Sequence, residues 1–252
     1  MPDFRVFCAT TDLSPVTLKL SPEESHHLVV VNRARQGDVV VAFDGRGTEW
    51  TCKLSTDSKR EAVLTVRSTR QAKSLPFAIT LAQALPKGGV MDDIVRHATE
   101  LGAARIVPLA TERTQVHLDE ARSDKKTAKW RVAALEAAKQ CGNPFLPEIA
   151  ALQSLAEFLS GISAQNEQLK LVASLHAGAQ PLRAVTAAFR NQHGKTPMNI
   201  VWLVGPEGDF STEEMKAIVA TGFVPVTLGP LVLRCDTAAT AALSILSYET
   251  QT

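Results

Sequence analysis

Apolar and polar positions change their rhythm near residue 72. Val39-Val40-Val41-Ala42-Phe43 is an apolar run closed by the turn cluster Asp44-Gly45-Arg46-Gly47, and it predicts a strand. Thr48–Leu54 and Ala62–Arg67 follow with β-branched and aromatic content and predict two more. Upstream, Ser21-Pro22-Glu23-Glu24 predicts a short helix carrying His26 and His27, with Ser21 as its cap and Pro22 at its first position. Short strands joined by turns predict a small barrel or meander over residues 1–72. The polar stretch Arg67–Pro76 reads as a linker.

From residue 73 to 252 the texture is different. Ala78–Leu85 predicts a strand, and Met91, Ile94, Val95, Ala98 and Leu101 then recur at helical spacing up to a stop at Gly102. Arg105–Leu109 predicts the next strand, and a long helix is expected from about Asp124 to Gln140. Strands are predicted at Leu169–Leu175, Asn199–Val204 and Val224–Leu228, with helices at Ser211–Ala220 and about Cys235 to Tyr248. Alternating strands and helices imply a parallel α/β sheet, whose ligands sit beyond the carboxyl ends of the strands.

Composition narrows the function classes. Of 252 residues, 45% are hydrophobic and 21% charged, so two cores are feasible and wholesale disorder is excluded. Lys and Arg total 27 against 26 Asp and Glu, a net charge of +1, which excludes a polybasic mode of binding but not a local basic face. No apolar stretch is long enough for a membrane span, and Met1-Pro2-Asp3-Phe4-Arg5 does not open a secretory leader. Cys8, Cys52, Cys141 and Cys235 lie far apart without a C-x-x-C, which fits the cytoplasm and predicts no metal site.

Familiar catalytic motifs are missing. Gly194-Lys195-Thr196 resembles the end of a phosphate loop, but Phe189 stands where that motif needs glycine. There is no G-x-G-x-x-G, G-x-S-x-G or H-E-x-x-H. Four other segments stand at strand ends. Leu203-Val204-Gly205-Pro206-Glu207-Gly208-Asp209-Phe210-Ser211 combines glycines that let backbone approach a ligand with a stiffening proline, and Ser211 with Glu214 forms a capping box. Leu228-Gly229-Pro230-Leu231-Val232-Leu233-Arg234-Cys235-Asp236-Thr237 has the same Gly-Pro character, and two such loops would line one crevice. Ser174-Leu175-His176-Ala177-Gly178 is the third, although a lone histidine is more often structural. The fourth spans Leu81–Gly89 and Pro108–Thr114, where Lys87 and Arg113 are phosphate contacts or plain surface charge.

Taken in order, L-A-Q-A-L-x-K-G, E-L-G, I-x-P-L, E-R-T, Lys139-Gln140-Cys141-Gly142, Pro147-Glu148-Ile149, V-G-P-E-G and L-G-P-x-V-L-R-x-D-T-A resemble the 16S ribosomal RNA uridine-N3 methyltransferases of the SPOUT superfamily. His27-Leu28 through Arg33, with Gly37-Asp38, resembles that family's PUA-like RNA-binding domain, so the resemblance covers nearly the whole chain. It implies a C-terminal α/β domain with a deep trefoil knot, S-adenosylmethionine as cofactor, a homodimer through the knotted domains, and 16S rRNA or the small ribosomal subunit as partner. Its cofactor contacts fall on Leu175, His176, Leu203, Val204, Gly205, Pro206, Glu207, Gly208, Leu228, Gly229, Val232, Leu233, Arg234 and Thr237. Its RNA contacts are expected at Arg33, Arg35, Lys87 and Arg113.

This sequence departs from the family at several positions. Asp209 replaces a glycine, Asp236 a glutamate, Lys139 a glutamate and Asn32 a leucine, while Leu231 and Asn143 each replace an arginine. The two lost cations bear on RNA affinity or target more than on the cofactor. For the chemistry the resemblance implies, Arg234 is the candidate stabiliser of charge on uracil and Asp236 the candidate base, the structural alternatives being that Arg234 positions a phosphate and Asp236 caps the last helix. Competing functions are a sister methyltransferase acting on a ribose 2′-hydroxyl or on tRNA, a non-catalytic ribosome-assembly factor, and a small-molecule α/β enzyme.

Overall fold

A computed structural model describes residues 4–10, 12, 14–114, 120–162, 168–176 and 178–250. Met1–Asp3 of the leader reading and Ala177 of the third strand-end motif lie outside them. Two compact units divide the chain: residues up to Ser74 together with Leu135–Leu146, and Leu75–Ala134 together with Pro147 onward.

The first unit contains β1 (Arg5–Phe7), β2 (Thr17–Lys19), α1 (Pro22–His26), β3 (Val39–Phe43), β4 (Thr48–Thr56) and β5 (Val63–Gln71). The sheet runs β1-β3-β4-β5-β2. Strands β3, β4 and β5 form the expected antiparallel meander, β1 adds parallel to β3, and β2 adds antiparallel to β5. Edge strands of three residues carry too little alternation to be read from the chain. Arg67–Gln71 is the outer end of β5 and not linker: its side chains are exposed, so this strand end has a loop's polarity. Ser21 caps α1, its hydroxyl accepting the Glu24 amide at 3.2 Å, with Pro22 at the first position. The helix relaxes into one π turn, His27–Val31, closed by the Asn32 amide on the His27 carbonyl.

Leu28, Val40, Trp50, Leu54 and Leu64 form this unit's core. Two buried carboxylates are set into it. Glu49 accepts from the Arg5 guanidinium at 2.9 Å and from Arg70. Glu24 accepts the Phe7 amide at 3.0 Å and the buried Lys139 ammonium. Lys139 thus meets an opposite charge. The chain near it is stitched to the β3–β4 turn by the Leu146 amide on Gly45 and the Gly47 amide on Pro144.

The second unit contains β6 (Ala78–Ala84), α2 (Met91–Glu100), β7 (Arg105–Ala110) and α3 (Glu120–Cys141), whose last turns belong to the first unit. Then come β8 (Glu148–Ile149), β9 (Gln153–Ser154), α4 (Leu155–Gly161), β10 (Gln168–Ala173), β11 (Gln180–Pro181) and α5 (Leu182–His193). It closes with β12 (Asn199–Val204), α6 (Thr212–Ala220), β13 (Val224–Thr227) and α7 (Cys235–Thr250). Strand order is β11-β13-β10-β12-β6-β7-β8, with β9 also on β7, and every pairing is parallel.

Leu81, Ile94, Trp202 and Leu243 pack in one apolar cluster, and Leu109, Val172, Leu203 and Phe210 in another, so the sheet is buried on both faces, as parallel sheets require. Helices α4 and α5 were not expected. In α5, Leu182, Val185 and Phe189 do make a narrow apolar stripe, but polar and alanine positions dilute it. Parallel pairing brings the carboxyl ends of β6, β7, β10, β12 and β13 to one edge, where the strand-end loops gather. Among the described residues no helix is long and apolar enough to cross a membrane.

Candidate functional site

The register sets the site. Val204, last in β12, sits beside Gln83 of β6, and Ala173, last in β10, sits beside Val226 of β13. A cavity of about 330 Å³ opens at these strand ends. One wall is Ala173, Ser174 and Leu175. A second is Val204, Gly205, Pro206, Glu207 and Asp209. A third is formed by Val226–Leu228 and Leu231–Cys235, with Val90 at the start of α2 and Ala238 of α7 completing the lining. Its volume falls within the range of about 300–1,000 Å³ usual for small-molecule sites.

Most positions expected to bind cofactor converge here: Leu175, Val204 through Glu207, Leu228, and Val232 through Arg234. Leu203, its neighbours' parity reversed, points into the second apolar cluster. His176, Gly208 and Gly229 lie in the same loops, and Thr237 in the first turn of α7, without lining the cavity. Asp209, Cys235 and Val90 line it without having been expected. The first two are sequence neighbours of expected residues, whereas Val90 carries no local signal.

Short contacts hold the β12–α6 loop. Ser211 and Glu214 form the expected capping box, the Ser211 hydroxyl accepting the Glu214 amide and the Glu214 carboxylate the Ser211 amide at 2.9 Å. The other Glu214 oxygen accepts the Glu112 amide at 2.8 Å. Glu207 accepts the Lys87 amide at 3.0 Å, and the Gly208 carbonyl accepts the Arg113 guanidinium at 2.8 Å. Asp209 takes a left-handed backbone, φ +59°, which a side chain disfavours. Its carboxylate accepts the Phe210 amide at 2.8 Å and stands 3.8 Å from the His176 imidazole, a charge pair only when that ring is protonated.

The electrostatics of the third wall are uneven. The Arg234 side chain is 79% exposed, its Nε 3.7 Å from Asp236 Oδ1. That carboxylate oxygen is buried and accepts no hydrogen bond. Burial, with Glu207 adding to it, pushes the Cys235 thiol up, so it is a protonated apolar lining group at neutral pH. Lys87 and Arg113 are exposed at the same sheet edge. Arg33 and Arg35 belong to the first unit, both exposed just after the π turn, and Arg33 is left-handed at φ +60°.

Comparison with known proteins follows this geometry. Residues 73–247 match the family model described as RNA methyltransferase domain, and residues 20–67 match the one described as RNA methyltransferase PUA domain. A Synechocystis protein named ribosomal RNA small subunit methyltransferase E is 33% identical over 96% of this chain and 76% of its own. A Legionella pneumophila methyltransferase solved with the cofactor S-adenosylmethionine superimposes with a TM-score of 0.87, at 33% identity over 97% of both chains. A ribosomal RNA small subunit methyltransferase E from Neisseria gonorrhoeae, bound to S-adenosylmethionine, gives 0.84 at 30% identity, covering 98% of this chain and 96% of that one.

Proposed function

The chain belongs to the ribosomal RNA small subunit methyltransferase E family, and from that premise we propose that it methylates N3 of a uridine in 16S rRNA, using S-adenosylmethionine held in the strand-end cavity. One observation carries the reading: three separate strand-end loops meet around a single apolar cavity at the carboxyl edge of a parallel sheet.

The lining suits that cofactor. Val204, Leu228 and Leu233 give apolar walls for a base, and the Gly-Pro loops offer backbone polar groups at close range. When bound, S-adenosylmethionine supplies a methyl group already activated by its sulfonium, so the protein's task is orientation and proton handling. Gly205 keeps the loop tight, since a Cβ there would meet the Phe210 ring at 3.1 Å. N3 lies on the Watson–Crick edge of uracil, so the target base must be unpaired before it reaches the site. N3 also carries a proton that must leave. Arg234, exposed on the third wall, offsets the charge that then develops on O2 or O4. Asp236 is the candidate base: it does not line the cavity itself but directly follows Cys235, which does, and its carboxylate stands 3.7 Å from the Arg234 guanidinium.

Four further assignments belong to this reading. The C-terminal unit is a SPOUT domain whose chain is knotted in a deep trefoil, supported by the passage from β12 across β10 to β13. Two copies pair through it, supported by exposed Leu231, Val232, Ile245 and Tyr248. Arg33 and Arg35 hold RNA phosphates. The enzyme works in the cytoplasm, where its substrate is assembled.

Nucleoside mass spectrometry tests the reaction. Small subunits lacking the modification are incubated with enzyme and S-adenosylmethionine. The expected product is 3-methyluridine. A ribose-methylated nucleoside overturns the N3 assignment, and no methylated product overturns the activity.

A further inference from the structure

Arg113 stands exposed in the turn that follows β7, yet its guanidinium is bonded to the protein's own backbone. Nη1 donates to the Gly208 carbonyl at 2.8 Å, across 95 residues of sequence. Its stem packs on the same residue, because a Cβ at Gly208 would stand 3.3 Å from Arg113 Cβ. The segment that carries it is itself anchored. The Thr111 amide donates to the Thr114 hydroxyl at 3.0 Å, Thr114 is buried, and the Glu112 amide donates to the carboxylate that caps α6. The residue after Gly208 is Asp209, left-handed at φ +59° and lining the cavity. A side-chain-bearing residue keeps that conformation only where its surroundings over-determine it. The Arg113–Gly208 contact, one residue away, is such a constraint, and it acts on the loop from outside the cavity, which Arg113 does not line.

We infer that Arg113 is a positioning residue for the methyl-donor loop Val204–Asp209, and not an RNA phosphate contact. The inference rests on the reading that this cavity takes S-adenosylmethionine. Calorimetric titration of the full chain with S-adenosylmethionine, without RNA, separates the roles. Arg113→Ala removes the bond and is expected to weaken donor binding roughly three- to tenfold, the loss ordinary for one partly exposed hydrogen bond. Arg113→Gln and Arg113→Lys keep an N–H donor and are expected to restore part of the affinity, the first without any charge. In turnover the loss falls on the donor KM rather than on kcat, and the salt dependence of RNA binding keeps its wild-type slope. Donor binding unchanged in Arg113→Ala, with that slope reduced by about one, overturns the inference in favour of a phosphate contact. A kcat loss at saturating donor overturns it in favour of a role at the reacting atoms. If the wild-type chain fails to bind the donor, the cavity reading falls and this inference with it. If the wild type binds and Arg113→Ala binds equally, only the inference falls.

Discussion

The N-terminal unit takes charge into its interior, while the C-terminal unit keeps it at the sheet edge. Among the described residues, the buried charged side chains are Glu24, Glu49 and Lys139, all in the first unit. Among its described residues the second unit buries only uncharged polar groups such as Gln83, Thr99 and Ser211, and the carboxylates nearest the cavity loop, Glu207, Asp209 and Glu214, lie in or beside the β12–α6 loop. A small sheet has little apolar area with which to fix its shape, and paired buried charges add geometric specificity even where their net stabilisation is small. A parallel sheet buried on both faces already has two apolar clusters, so its polar groups are free to shape loops.

The sharpest way to break this contrast is Glu49→Ala. It leaves Arg5, a nearly buried side chain, without its carboxylate, and an uncompensated buried charge costs about 3–5 kcal/mol. Urea unfolding should show that loss while affinity for S-adenosylmethionine stays within about twofold of wild type. A parallel collapse of donor affinity would mean that the two units do not divide the work. Next comes Arg234→Ala, expected to slow single-turnover methylation by about 10²–10³, as loss of a charge-stabilising donor does elsewhere. Near wild-type chemistry in that variant removes Arg234 from the mechanism.

Glu214→Ala should be milder. It deletes half of the capping box and the tether to Glu112, for a loss of about 1–2 kcal/mol in unfolding. Here, unlike at Glu49, donor binding should weaken too, because the capped helix follows directly on the cavity loop. The smallest effect concerns pH. Burial pushes the Cys52 thiol up to about 11, so the folded state favours the protonated form. That contribution is complete below the ordinary thiol range and disappears as pH rises through about 11. Urea unfolding followed into alkali should therefore fall less steeply for Cys52→Ala than for the parent, and equal slopes would contradict the assignment.

What was legible in the chain was what is local. Apolar runs marked β3, β12 and β13, and helical spacing marked α2, because each signal lies within one element. The Gly-Pro loops could be placed at strand ends, and with parallel strands that is nearly enough to bring them together. The failures share a physical cause. Edge strands β1 and β2 are too short to show a period, and the outer end of β5 is exposed, so its residues are those of a loop. Val90 joins the cavity only through packing. The Lys139–Glu24 pair spans 115 residues and the Arg113–Gly208 bond 95, and no window of sequence contains either. Arg113 illustrates the consequence: the sequence shows its charge just past a strand, and only the fold shows its bond to Gly208.

Hydrogen–deuterium exchange with and without S-adenosylmethionine tests the division of labour most directly. Backbone amides of 204–209 and 228–235 should gain protection, and those of 27–36, around the π turn and the two exposed arginines, should not. Protection confined to 27–36, or none in the two C-terminal loops when the donor is demonstrably bound, would contradict the assignment of the strand-end cavity.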